Sequence, residues 1–270
     1  MKQQHTSGRV AAFFDLDGTL LARPSLERRF FAELRYQRAI PMENYFLWLG
    51  RAVWLAPRGM QMVRHANKMY LRGLPKDVRE SHKGGQPPRH GSGQAKMAVP
   101  RFFPEGVDQV AWHARQGHAI VLVSGTLEPL AQEMALALVV RLAVRGITAS
   151  VAVCATRLEQ RDGRWTGRIL SEAMFGEAKA RAVAQLARCK GFDLTQCYAY
   201  GDSSSDRSIL EAVGRAAAVN PSWRMERLAR RRGWDVLTWR EEKDLTQSSQ
   251  RPAQRPRRSD EPLLGSGRVG

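Results

Sequence analysis

Four aspartates, a serine and a lysine are the residues of this 270-residue chain whose types and spacing could do chemistry. Asp15 and Asp17 end the apolar run FFDLDGTL at 13–20, and Asp202 and Asp206 lie in GDSSSD at 201–206. Carboxylates this close repel one another unless a cation lies among them. Oxygen donors without nitrogen or thiol partners favour Mg²⁺, which keeps waters and takes one or two carboxylates plus a substrate phosphate. Ser124, Gly125 and Thr126 offer hydroxyl and backbone N–H donors suited to phosphate oxygens. Lys179, in FGEAKA, could supply a balancing cation. A single DxD is common in surface turns, and a single lysine reads as solvated. The chemical reading therefore rests on acids recurring at two strand ends.

Such residues need a scaffold that delivers them to one edge. VAAFF (10–14), AIVLV (119–123), SVAVC (150–154), QCYAY (196–200) and AAAVN (216–220) are short apolar runs, as in strands buried on both faces. Helical patterns separate them, with Leu26, Phe30 and Leu34 on one face early in the chain and GEAKARAVAQLARCKG (176–191) later. The alternation predicts an α/β fold, a Rossmann-like doubly wound parallel sheet, with functional loops at the carboxyl ends of its strands. The exits of the first, second and fourth strands carry DLDGT, SGT and GDSSSD. RLEQRDGRWTGRI (157–169) holds the Asp-Gly signal of a hairpin turn, and WDVLTW reads as a last strand. The predicted division is 1–24 and 101–240 for the catalytic core and 25–100 for an inserted helical cap. Within the cap, 81–95 is a Gly/Pro-rich flexible loop, and 241–270 is a disordered basic and polar tail.

A net charge of +17 is compatible with nucleic acid, an anionic membrane or an anionic substrate. No RNA-binding signature with interleaved aromatics is present, so nucleic acid is the less expected partner. Cys154, Cys189 and Cys197 have no metal-ligand spacing, and the N-terminus lacks the apolar stretch of a secretory signal. Reduced thiols in a soluble, cytoplasmic chain follow, with no apolar run of the ~18 to 20 residues needed to span a bilayer.

DLDGT, SGT, the lysine of FGEAKA and GDSSSD, in that order, resemble the four motifs of the haloacid dehalogenase superfamily of aspartate-nucleophile phosphohydrolases. The helical insertion after the first motif, with GEAKARAV and YAYGDSSSD, is similar to the phosphoserine-phosphatase-like subfamily, IB. The resemblance implies a Mg²⁺-dependent phosphomonoester hydrolase. Asp15 would be the nucleophile forming an aspartyl-phosphate, and Asp17 the acid and base serving the leaving group and then water. Asp15, Asp17 through its backbone carbonyl, and Asp202 would hold the metal. Ser124 and the Gly125 N–H would bind phosphoryl oxygens, Lys179 would pair with nucleophile and phosphate, and Asp206 would orient Lys179 or a water. Gly18 would let the turn approach the phosphate, and Thr19 would bond to Asp17 or cap the turn. The same intermediate would also serve a phosphotransferase, and a catalytically weak basic binding protein is a reading of another class.

In this resemblance substrate choice belongs to the cap. Phosphoserine enzymes carry a glutamate after the first motif that holds the substrate's amine, and the matching position here is Pro24. Phosphoserine therefore loses support, and Ser25, Glu27 and Arg28 are the polar groups nearby. Tyr45, Phe46, Trp48, Trp54 and Met60 make the cap aromatic. Packing between cap helices is the expected role, and an apolar pocket or a face for an anionic membrane is the alternative.

Overall fold

In the computed structural model, residues 9–76, 100–170 and 172–241 are described. The loop expected at 81–95 and the tail from 242 onward lie outside them. Among the described residues no helix is long and apolar enough to cross a membrane.

β1 (Ala11–Phe14) is the central strand of the main sheet, and all four of its residues are buried. It pairs in parallel with β2 (Ala119–Leu127) on one side and β6 (Tyr198–Gly201) on the other, Phe13 lying opposite Val121 and Ala199. β3 (Val151–Thr156) extends one edge; β7 (Arg215–Val219) and β8 (Asp235–Leu237) extend the other, giving the order β3-β2-β1-β6-β7-β8. Alternate side chains enter opposite layers, Ala11 and Phe13 one apolar cluster and Ala12 and Phe14 the other. Burying a phenylalanine contributes about 1.5–3 kcal/mol, so a one-residue slip of β1 would forfeit both layers together. The chain leaves β1 for β2 and β3, then returns to β6. The carboxyl ends of β1 and β6 thus flank the switch point where such sheets bind ligands.

Helices cover both faces: α4 (Pro104–Arg115), α5 (Glu128–Val144), α6 (Glu177–Lys190), α7 (Arg207–Ala212) and α8 (Trp223–Arg232). Gly191, at φ +69°, ends α6 in the left-handed conformation that glycine takes without steric cost. The inserted helical cap follows β1 as α1 (Leu26–Tyr36), α2 (Met42–Leu55) and α3 (Met60–Ala66), with a 3₁₀ turn at Met69–Leu71. Ser25 caps α1 by accepting a bond from the Arg28 N–H, and Leu26, Phe30 and Leu34 form its buried face as their spacing predicts.

One feature differs from the sequence expectation, and the predicted hairpin forms where its turn signal lies. SGT is part of β2, which continues to Leu127 with a register shift against β3 between Ser124 and Leu127. The cause is β3, which runs on to Thr156, whose hydroxyl donates to the Gly125 carbonyl at 2.9 Å and keeps the segment extended. The hairpin β4 (Leu158–Arg161) and β5 (Arg164–Ile169) forms around Asp162 and Gly163, both at positive φ as a tight primed turn requires. It packs on the cap: the Gly73 N–H donates to the Trp165 carbonyl at 2.7 Å, and Phe30 meets the buried Trp165 ring edge-on.

Candidate active site

β1 ends by turning Asp15 into a cavity of about 1120 Å³ that also includes Asp17, Ser124, Gly125, Thr126, Lys179 and Asp202. The exits of β1 and β6, the last residues of β2 and the first turn of α6 therefore meet at one point. The buried Lys179 ammonium donates to Asp15 Oδ1 and Asp206 Oδ1, each at 2.6 Å. Asp206 is fixed from behind, its other oxygen accepting from Ser203 N at 3.1 Å and Ser203 Oγ at 2.8 Å. Lys179 is thus no solvated surface lysine, and Asp206 orients it.

Asp17 faces elsewhere. Its Oδ1 accepts from the Leu26 N–H at 2.8 Å, tying the carboxylate to the N-terminus of α1, where a negative charge is favoured. Thr19, expected to bond to Asp17, instead points its hydroxyl at Asp15 Oδ2, 3.4 Å away. Gly18 is required twice: its φ is +96°, and a Cβ there would lie 2.2 Å from Asp202 Oδ2.

Water exclusion sets the proton affinities. Burial pushes the Asp15 carboxyl well above the usual range, Lys179 opposes the rise, and Asp206 and Asp202 add to it. Asp202 is raised by burial and Asp206 against the pull of the Arg23 guanidinium, which contacts it at 2.6 Å. Burial also raises Asp17, to about 6, against the Leu26 N–H bond. For Lys179 burial disfavours the charge, but Asp15 and Asp206 outweigh it and hold the ammonium ionised.

Two cations, the buried Lys179 ammonium and the Arg23 guanidinium, face three clustered carboxyls, a donor set of oxygens that fits a divalent cation. Asp15, Asp202 and Asp206 each offer an oxygen within 4.8 Å of the others. The Asp17 carboxylate lies outside that group, consistent with its expected contribution through the backbone carbonyl alone. Ser124 Oγ is buried and accepts from the Thr126 N–H at 3.2 Å. The buried Thr126 hydroxyl, on the cavity wall, has no partner of its own and is a donor in want of an acceptor.

The opposite wall is the cap. Glu27 reaches the cavity, but both its oxygens are taken by Lys68 Nζ, at 2.5 and 2.6 Å, and Tyr70 OH donates to Oε1 at 3.0 Å. Lys68 is fully buried, and Arg23, Arg28 and Arg64 line the cavity. His65 stacks on Phe175 and comes within 3.4 Å of where a Cβ on Gly125 would lie, so Gly125 admits the cap. Burial, with Lys68, Lys179 and Arg64, lowers His65 to about 4 and leaves it neutral at neutral pH. Sequence reasoning missed Lys68 and His65, because a lysine and a histidine in a helical stretch carry no motif.

Residues 12–211 match the model of the haloacid dehalogenase-like hydrolase family. A protein named "probable phosphatase" from Mycobacterium tuberculosis is 33% identical over 86% of this chain and 76% of its own length. A phosphoserine phosphatase of that organism is 29% identical over 86% of this chain and 71% of its own. A solved structure of unknown function from Bordetella pertussis Tohama I superposes with a TM-score of 0.63 at 27% identity, covering 86% of this chain and 99% of that one.

Proposed function

The chain belongs to the haloacid dehalogenase-like hydrolase family and is an enzyme of its phosphatase kind, and from that premise we propose that it hydrolyses a phosphomonoester through a phosphoryl group carried on Asp15. The observation that carries the mechanism is the buried Asp15–Lys179–Asp206 chain, with a second carboxyl, Asp17, held near neutrality beside it. The Asp15 carboxylate attacks phosphorus as the bond to the leaving oxygen breaks, and Asp17 gives that oxygen its proton. Asp17, now a carboxylate, takes a proton from the water that attacks the acyl-phosphate. Cleavage releases inorganic phosphate and restores the Asp15 carboxylate.

Asp15, Asp202 and the Asp17 carbonyl would hold Mg²⁺, since both Asp206 oxygens are engaged by Lys179 and Ser203. When bound, the ion neutralises phosphate charge and lets an anionic nucleophile approach. Ser124, Gly125 and Thr126 would receive phosphoryl oxygens, and the described residues between 25 and 76 would exclude water as a cap.

The substrate lacks a recognised amine, because Lys68 already neutralises the one cap carboxylate among the described residues that lines the cavity. Arg28 and Arg64 suit a second anionic group instead. Phosphate release with Mg²⁺ from a panel containing phosphoserine, phosphoglycolate, sugar phosphates and lysophosphatidate tests this, with Asp15→Asn as control. Undiminished turnover in Asp15→Asn refutes the mechanism. Phosphoserine as the preferred substrate refutes the specificity.

A further inference from the structure

α2 is amphipathic with its apolar stripe turned outward. Met42, Phe46, Leu49 and Val53 follow one another at i, i+4, i+7 and i+11, one line along the helix, and are 70%, 71%, 60% and 67% exposed. The inner face is instead fixed by a polar anchor. Asn44, buried, donates through Nδ2 to the carbonyls of Tyr70 and Arg72 at 3.2 and 2.7 Å, and Asn67 Nδ2 donates to the Trp48 carbonyl at 2.8 Å. Turning the stripe inward would strip those carbonyls of their partners, so the outward orientation is built in. The packing role expected for Phe46, Trp54 and Met60 is not the one they have, since all three are exposed.

Arginines lie to one side of this stripe, about the exposed Trp54. Arg51 and Arg58 place their guanidiniums over the Trp54 ring, 4.1 and 4.0 Å from its centroid. Over residues 25–76, Lys and Arg outnumber Asp and Glu ten to three. Exposed aromatic and aliphatic residues on α2, with arginines clustered about Trp54 and an excess of basic residues over 25–76, are complementary to the acyl boundary and headgroups of an anionic bilayer. Trp48 and Met60 are exposed and also line the catalytic cavity, so the surface continues to the cavity mouth.

We propose that the outward face of α2, with Arg51 and Arg58, docks this protein on an anionic lipid bilayer. Docking needs no turnover, so it stands or falls independently of the phosphatase mechanism. The test is co-sedimentation of the full chain with vesicles of phosphatidylcholine alone and with a third of phosphatidylglycerol. The comparison is with Phe46→Ser/Leu49→Ser/Val53→Ser, none of which lines the cavity, and with Arg51→Gln/Arg58→Gln. Wild type should bind the anionic vesicles, less so at high salt, and the triple variant should lose at least ~tenfold in affinity. The arginine variant should lose its preference for anionic over neutral vesicles. Unchanged hydrolysis of p-nitrophenyl phosphate and an unchanged Tm certify the triple variant as folded. Equal binding by wild type and triple variant, or no binding by wild type, overturns the proposal. So does a dimer, measured by light scattering, that the triple variant dissolves, since a second copy of the chain then covers the stripe.

Discussion

Replacing Lys68 by methionine separates the structural part of the cap from its selective part. Lys68 is fully buried and donates twice to Glu27, whose side chain is 22% exposed. Removing one member of a buried ion pair costs about 3–5 kcal/mol, chiefly through the charge left unpaired. Here Glu27 keeps the Tyr70 hydroxyl and reaches cavity water, so the loss should be smaller, about 2–3 kcal/mol. Methionine fills the space of the lysine stem at less than ~1.5 kcal/mol. At ~2–4 °C per kcal/mol for a chain of this size, Tm should fall by roughly 4–12 °C. The functional consequence has the opposite sign. A Glu27 carboxylate released into the cavity can pair with an ammonium group, and a contact worth ~1.4 kcal/mol is tenfold in specificity. The assay is the ratio of kcat/KM for phosphoserine to that for phosphooxypropanoate, the same molecule without its amine. Lys68→Met should raise that ratio about tenfold while lowering Tm. A fall in Tm with an unchanged ratio would refute the claim that Lys68 silences Glu27; an unchanged Tm would refute the energetics of the pair.

Asp15→Asn should reduce phosphate release by at least ~10³-fold, measured at saturating Mg²⁺ and substrate. Asp17 titrates at about 6, so single-turnover phosphorylation of the enzyme should weaken as pH rises through that value and its acid form is lost. Asp17→Asn should flatten that limb and let radiolabelled phospho-enzyme accumulate. In EDTA the same variant should be more stable than wild type at neutral pH. A carboxyl raised to about 6 costs stability once ionised, so the gain appears as pH rises from about 4 to 6 and is absent below; partial exposure limits it to ~1–2 kcal/mol by differential scanning fluorimetry. Gly18→Ala should destabilise by ~1–3 kcal/mol in urea titration and lower turnover, since its Cβ would strike Asp202 at 2.2 Å and its φ is +96°.

The catalytic edge was legible because its determinants are local. An apolar run ending in acids defines a buried parallel strand and its exit, and the order of the runs alternating with helices defines the winding. Asp15, Asp202, Asp206 and Lys179 meet as that reasoning requires. What escaped depends on partners distant in sequence. Thr156 holds SGT in β2 through a bond spanning 31 positions, and Lys68 meets Glu27 across 41. Neither pairing leaves a periodicity or a motif. The α2 stripe shows a different limit: helical spacing of Met42, Phe46, Leu49 and Val53 says only that one face differs from the other. A buried Asn44 decides which face turns inward, and that choice depends on the carbonyls of Tyr70 and Arg72.

Asp17 joins these two levels. In the proposed mechanism it donates a proton in one half of the reaction and accepts one in the other, so a carboxyl fixed near its ordinary value of about 4 would serve only the second half well. Its rise to about 6 comes first from exclusion of water, and the cavity that excludes water from it is walled on the far side by Phe31, Trp48 and Tyr70 of the cap. Its one bond to the cap, from the Leu26 N–H, acts the other way and favours the carboxylate. Burial therefore raises Asp17, and the cap's Leu26 N–H restrains that rise. A cap drawn away from the core would remove the larger effect with the smaller and return Asp17 toward a base. In the proposed mechanism the acid form would serve the leaving group while the site is covered, and the base form would serve once water enters, which is the order hydrolysis requires.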